Sequence, residues 1–347
     1  MSMRTASLTL LCALGCTGAH DTRQPGPPSV PHTTEVARTE HFVFHNNELF
    51  NLHQFLYQCA KTIARREGED VDGRPVVVAE ISAVDGLEGS EREAFFSAID
   101  FYRRDAIGRD LLFNGLMYEI KGQLARVQDP DGAWPAALDP GYRQALKTAL
   151  PVYRTHFWPA HEQVNRAWIA AAIARLELYE AALVGRMTAA YGGRWPRGPV
   201  RVDVCVYANW AGAYTTGGPA HITLSSTDVN AQGNYALETL MHEASHTRSM
   251  FDPLRGAVDA AFSLRGTAQP GDLWHMFIFM TAGDTVRRTL AADGIEGYVE
   301  YGVRTGLYER GSSVTQHPIL QAHWIPYLNG ETDRATALAR IAEAFGS

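Results

Sequence analysis

Through the first half of the chain, apolar residues return every three or four positions, the period of one helix face. In 46–67, Leu49, Leu52, Phe55, Leu56 and Cys59 share such a face, behind Asn46 or Asn47 as the capping residue. The same spacing predicts helices around 90–106, 110–127, 141–156 and 160–191, so 41–191 reads as an almost wholly helical domain. The run "YGGRWPRGP", 191–199, with three Gly and two Pro, ends the last of these helices and marks a boundary. Beyond it the period changes from helical to alternating. "VRVDVCVY", 200–207, reads as a half-buried strand, and "AHITLSS", 220–226, as a second strand after the turn-forming "TGGP". Helical spacing resumes over 232–249, 272–291 and the tail, 315–345. The fold expected is mainly α (α+β), a helical N-terminal half followed by a second domain, 192–347, with a small sheet.

The start of the chain follows neither period. Arg4 precedes an apolar "ASLTLLCALG", too short to span a bilayer and of the right length for a secretory signal, so residues 1–16 read as an export signal. "ALGC" resembles the lipobox of bacterial lipoproteins, although Ala13 stands where that pattern prefers leucine. The resemblance implies a lipid on Cys16, with ordinary signal cleavage as the alternative. Either way the protein is expected in the periplasm or cell envelope, its sole tie to a membrane an N-terminal lipid. Residues 17–40, rich in Pro, Gly, Thr and Ser, read as a disordered linker.

At 347 residues, 46% hydrophobic and 20% charged, the chain is long enough for a substantial core. Its net charge of −7 and lack of Lys/Arg runs argue against a nucleic-acid partner. Without the signal, two cysteines remain, Cys59 and Cys205, too few for a cysteine zinc site; their pairing is left open.

The chemistry concentrates in "ALETLMHEASHTRSM", 236–250. On a helix, His242 and His246 lie one turn apart on one face, and Glu243 stands beside them. Two neutral imidazoles and a third protein ligand hold a zinc ion, a water of lowered pKa takes the open position, and the carboxylate accepts its proton as it attacks a carbonyl. Leu240, Met241, Ala244 and Ser245 are uncharged, which suits a helix buried with its histidines inward. The plainer reading is a pair of core histidines satisfied by hydrogen bonds.

With His242, Glu243 and His246 as HExxH, residues 200–292 resemble the zincin metallopeptidases. The resemblance implies an edge strand before the motif helix that binds extended substrate, the place taken here by "PAHITLSS"; an interior strand is the alternative. It also implies a third ligand farther along, which in the gluzincin branch is a glutamate on a following helix. Here that helix, "GDLWHMFIFMTAGDTVRRTL", has no glutamate and offers His275 and Asp284, whose spacing puts them on opposite faces. His275 is the favoured ligand, because an imidazole in an apolar run needs a partner and suits zinc; a core histidine bonded to a carbonyl is the alternative. Asp284 is read as pairing with Arg287 or Arg288, with Asp252 and Asp259 as outside candidates for the ion. The oxyanion donor that zincins place after the third ligand is left open among Tyr298, Tyr301, Tyr308, His317 and His323. His45, His53, His156 and His161 read as packing or solvated residues.

A di-iron carboxylate bundle needs a second Glu-x-x-His, and a serine hydrolase a G-x-S-x-G elbow; neither is present. The expected function is a zinc-dependent hydrolase acting on a peptide or protein substrate. The rival is a non-catalytic envelope lipoprotein, a binding or scaffold module with a structural metal.

Overall fold

Five strands form one mixed sheet: β1 (Glu35–Arg38), β2 (Phe42–His45), β3 (Val200–Cys205), β4 (Ala213–Thr216) and β5 (His221–Ser225), in the order β1-β2-β3-β5-β4. β2, β3 and β5 run parallel, and β1 and β4 close the two edges antiparallel. The computed structural model describes residues 34–71 and 73–346. The export signal expected over 1–16, Cys16 and most of the expected linker lie outside the described residues.

The first-half helices are α1 (Glu48–Arg66), α2 (Ile81–Asp85), α3 (Gly89–Asp105), α4 (Gly115–Leu124), α5 (Pro140–His156) and α6 (Trp158–Tyr191). After the sheet come α7 (Tyr235–Ser245), α8 (Arg248–Arg265), α9 (Leu273–Ala292), α10 (Tyr301–Arg304), α11 (Ser313–Leu328) and α12 (Arg334–Gly346). The protein is thus mainly helical with a small sheet. No helix among the described residues is long and apolar enough to cross a membrane.

Alternation along the strands gives the sheet two faces with different cores. Val202, Val204, Ile222 and Leu224 join Phe42 and Phe44 in a core shared with α6, α7 and α9. Cys205 and Tyr214 belong instead to the core of α1, α3 and α5. α1 is buried almost all round, and two of its polar side chains find partners in the sheet. Asn51 Nδ2 donates to the Val204 carbonyl at 3.1 Å and Gln54 Nε2 to the Tyr214 hydroxyl at 3.0 Å. Its N-cap is Asn47, whose side chain accepts from Phe50 N, a contact of about 1 kcal/mol. A buried charge cluster adds to the join between α4 and the sheet. Arg201 grips Asp203 with two hydrogen bonds, His221 bonds the same carboxylate, and Lys121 Nζ donates to the His221 carbonyl at 2.8 Å. Burial lowers the Lys121 pKa to about 7. Cys59 and Cys205 are both buried free thiols.

Several elements differ from expectation. Strand begins at Glu35, inside the stretch expected as linker to residue 40, because β1 is held by backbone pairing to β2 and needs little apolar side chain of its own. Two of the five strands therefore come from before α1, and the sheet is not confined to the part after residue 192. The strand β5 lies inside the sheet between β3 and β4, so the edge beside the motif helix is β4. The helix expected over 232–249 stops at Ser245. His246 is its C-cap, Thr247 is extended, and α8 starts anew at Arg248. α6 ends at Gly192, whose φ of 64° is the left-handed conformation that a helix C-terminus favours glycine for.

Candidate metal centre and its cleft

α7 turns Leu240, Met241 and Ala244 into the core it shares with α6 and α9, which leaves Glu238, His242 and His246 facing an open cleft of about 690 Å³. α9 packs against α7 and brings His275 to the same place. The three imidazoles converge: His242 Nε2 lies 3.1 Å from His275 Nε2 and 3.3 Å from His246 Nε2. One ligand atom from each falls within 4.8 Å of the others. Ligand atoms about 2.0–2.1 Å from a tetrahedral zinc would stand roughly 3.3 Å apart, so this spacing fits one shared ion. The break after Ser245 does not disturb the pair, since His246 keeps helical φ and ψ of −68° and −3°.

The surroundings keep these rings neutral. Burial, then the charges of the other two rings, holds the His242 pKa well below its ordinary value. Burial carries His246 down to about 3 and His275 to about 4. Aromatic rings wall the group. Trp274 stacks on His275 at 4.9 Å between centroids, and Phe279 lies 4.3 Å from His242 and 4.6 Å from His275.

Glu243 is 6% exposed and bonds no cation among the described residues. Burial raises its pKa to about 7, against the lowering by a Thr215 hydrogen bond and the Lys121 charge. Thr215 Oγ1, on the edge strand β4, lies 2.7 Å from Glu243 Oε2 and 2.9 Å from the Glu243 carbonyl.

The remaining sequence candidates separate cleanly. Asp284 is ion-paired to Arg287 and Arg288 and lines a different, smaller cavity, so it is not beside the histidines. Asp252 lines the cleft outside the three-histidine group, and Asp259 is exposed on α8. Of the five oxyanion candidates, Tyr301 alone lines the cleft, stacked on Phe279 at 5.6 Å. The Tyr298 hydroxyl donates to Glu238 at 2.6 Å, and Tyr308 stacks on His317 at 4.1 Å. His161 and His53 are core residues bonded to Tyr153 and Tyr102, His45 bonds Thr34, and His156 pairs with Glu91.

Two residues of the site had no place in the sequence reading. Glu238 stands one turn before His242 on the same face, a spacing visible in the motif itself. Its carboxylate accepts from Tyr298 and from the Tyr301 backbone N at 3.0 Å, which fixes the turn carrying Tyr301 over the cleft. Thr215 sits in "AYTTGGP", where no pattern singles it out. No family model, curated protein or solved structure matches the chain.

Proposed function

We propose that the cleft is the catalytic centre of a zinc-dependent hydrolase acting on peptide bonds, with His242, His246 and His275 as the metal ligands. The observation that carries this is the convergence of three imidazole nitrogens beside a buried carboxylate, Glu243, that is ion-paired to no cation among the described residues. Zinc bound there would supply a Lewis acid and lower the pKa of water. Glu243 serves as general base, oriented by the Thr215 hydroxyl. The Tyr301 hydroxyl is the donor for the developing oxyanion. The edge of β4, whose Ala213–Thr215 line the cleft, offers backbone groups to an extended substrate strand.

The same observations favour catalysis over a structural metal. Structural zinc sites are closed by four protein ligands, whereas this group holds three among the described residues and opens into the cleft. Metal analysis and turnover on a mixed peptide library test the proposal. Wild type should retain about one zinc per chain, and Glu243→Gln should keep it while turnover falls about a thousandfold. Protein that takes up no zinc, or a Glu243→Gln variant with undiminished turnover, overturns it; zinc without turnover returns the scaffold reading.

A further inference from the structure

Several arginines in this protein sit on carboxylates: Arg66 on Asp85, Arg103 on Glu67 and Glu69, Arg154 on Glu48, Arg201 on Asp203, Arg287 on Asp284 and Glu300. Three that line the cleft do not. Arg74, Arg255 and Arg310 are exposed and have no carboxylate partner among the described residues. In a chain of net charge −7, unpaired guanidinium groups gathered around one opening imply an anion that comes from outside.

They lie on two flanks of the three-histidine centre. Arg255, on α8, places its guanidinium carbon 5.2 Å from the centroid of Trp274, the ring that stacks on His275 and meets His246 edge-on at 5.6 Å. Arg74 and Arg310 lie toward Tyr301, which reaches the centre through Phe279 and His242. Burial and then the Asp228 charge raise the Tyr301 pKa, and the positive charges of Arg74 and Arg310 act against that rise. The lining also carries four acids, three of them hydrogen-bonded to neutral donors of the fold. Asp228 accepts from Asn230 N at 2.7 Å, Glu238 is held by Tyr298 and Tyr301, and Glu243 by Thr215. Asp252, three residues before Arg255, is the exception, with no partner among the described residues.

We propose that the cleft takes an acidic peptide, with carboxylate side chains read by Arg255 on one flank and by Arg310 and Arg74 on the other. This rests on the hydrolase reading for what happens between the flanks, and on the geometry of the arginines for what binds. A guanidinium presents paired donors that match a carboxylate, and the edge strand β4, which lines the same cleft, suits a chain with a backbone.

The test uses full-length protein carrying Glu243→Gln, with and without added zinc, titrated calorimetrically with a capped heptapeptide of alternating alanine and glutamate. A counterpart with glutamine at the same positions is the reference. The glutamate peptide should bind about tenfold tighter at low salt, an advantage that shrinks as salt screens exposed charges. Arg255→Gln and Arg310→Gln, surface changes whose folding circular dichroism verifies, should each remove several-fold of that advantage and leave the glutamine peptide unmoved. Asp252→Asn should cost nothing. Equal binding of the two peptides, or arginine variants that weaken both alike, overturns the inference, as does tighter binding of a phosphoserine counterpart. Failure here is distinguishable from failure of the hydrolase reading. Cleavage of neutral peptides with equal binding removes the acidic substrate and keeps the enzyme; arginine-dependent binding without zinc or turnover does the reverse.

Discussion

His161 in the helical core and His242 in the cleft are both imidazoles held inside the protein on helices, and their nitrogens are treated in opposite ways. His161 Nδ1 lies 2.9 Å from the Tyr153 hydroxyl and its Nε2 3.3 Å from Glu80. Its ring is completed by partners that belong to the fold. His242 Nε2 faces two further imidazole nitrogens instead, and a single ring proton cannot satisfy all three. Burial opposes protonation of each, and the three nitrogens together form a group that could hold a metal ion. Where a histidine is buried thus says less than what its nitrogens meet.

The largest effects that break or sharpen this contrast come from deleting one ring on each side. His246→Ala should abolish zinc retention and cut turnover at least a thousandfold, roughly, while changing the stability of the zinc-free protein by less than about 1 kcal/mol. His161→Ala should keep zinc and lose about 3 kcal/mol of stability, because it opens a cavity and strands the buried Tyr153 hydroxyl. Zinc content and denaturant melts of the two variants check the pair. A large stability loss in the first with zinc retained would make the cleft histidines ordinary core residues.

How much of this was legible in the sequence depends on whether side-chain period or backbone geometry carried the information. Helices α1, α3, α5, α6 and α9 follow from apolar spacing, because the apolar residues that recur at helical period are the ones each buries. His242, Glu243 and His246 are legible for the same reason, since one helical turn fixes their relation whatever lies around them. α8 was missed although Phe251, Leu254, Val258 and Phe262 keep helical spacing; Pro253 and Gly256 interrupt the pattern there. β1, β2 and β4 leave no readable pattern in the sequence, because each is only four residues long and is held by backbone hydrogen bonds that composition does not reveal. His275 was one of two candidates on its helix. Only the packing of α9 on α7, together with the ion pairs of Asp284, separates them.

His53 stands between the two cases and predicts a middle-sized, pH-dependent effect. Its Nδ1 lies 2.7 Å from the Tyr102 hydroxyl, its Nε2 has no hydrogen-bond partner among the described residues, and burial lowers its pKa to about 3. The unfolded chain takes up a proton at this residue below about pH 6.5, while the folded protein resists until about pH 3. Its stabilising share is therefore full above the upper value and drains as the pH falls between them, at no more than about 1.4 kcal/mol per unit. His53→Phe, which fits among Phe50, Tyr102 and Tyr142, should show a shallower loss of stability across that window in denaturant melts at stepped pH. An unchanged slope would mean that His53 already has a proton partner in the fold.

The smallest effect expected lies at Thr215, where the contrast between the regions narrows to one hydrogen bond. Thr215→Val keeps the β-branched shape that suits strand β4 and removes the hydroxyl 2.7 Å from Glu243 Oε2. Glu80 in the helical core keeps two donors of its own, His161 and Tyr207, whereas Glu243 has this one side-chain donor among the described residues. Losing it lets the carboxylate rotate without dismantling the histidines. Zinc content and KM should stay put, and kcat should fall about tenfold, the scale of one lost orienting hydrogen bond. A fall in zinc content would instead place Thr215 in support of the ligands, and no fall in kcat would mean that packing against β4 alone orients Glu243.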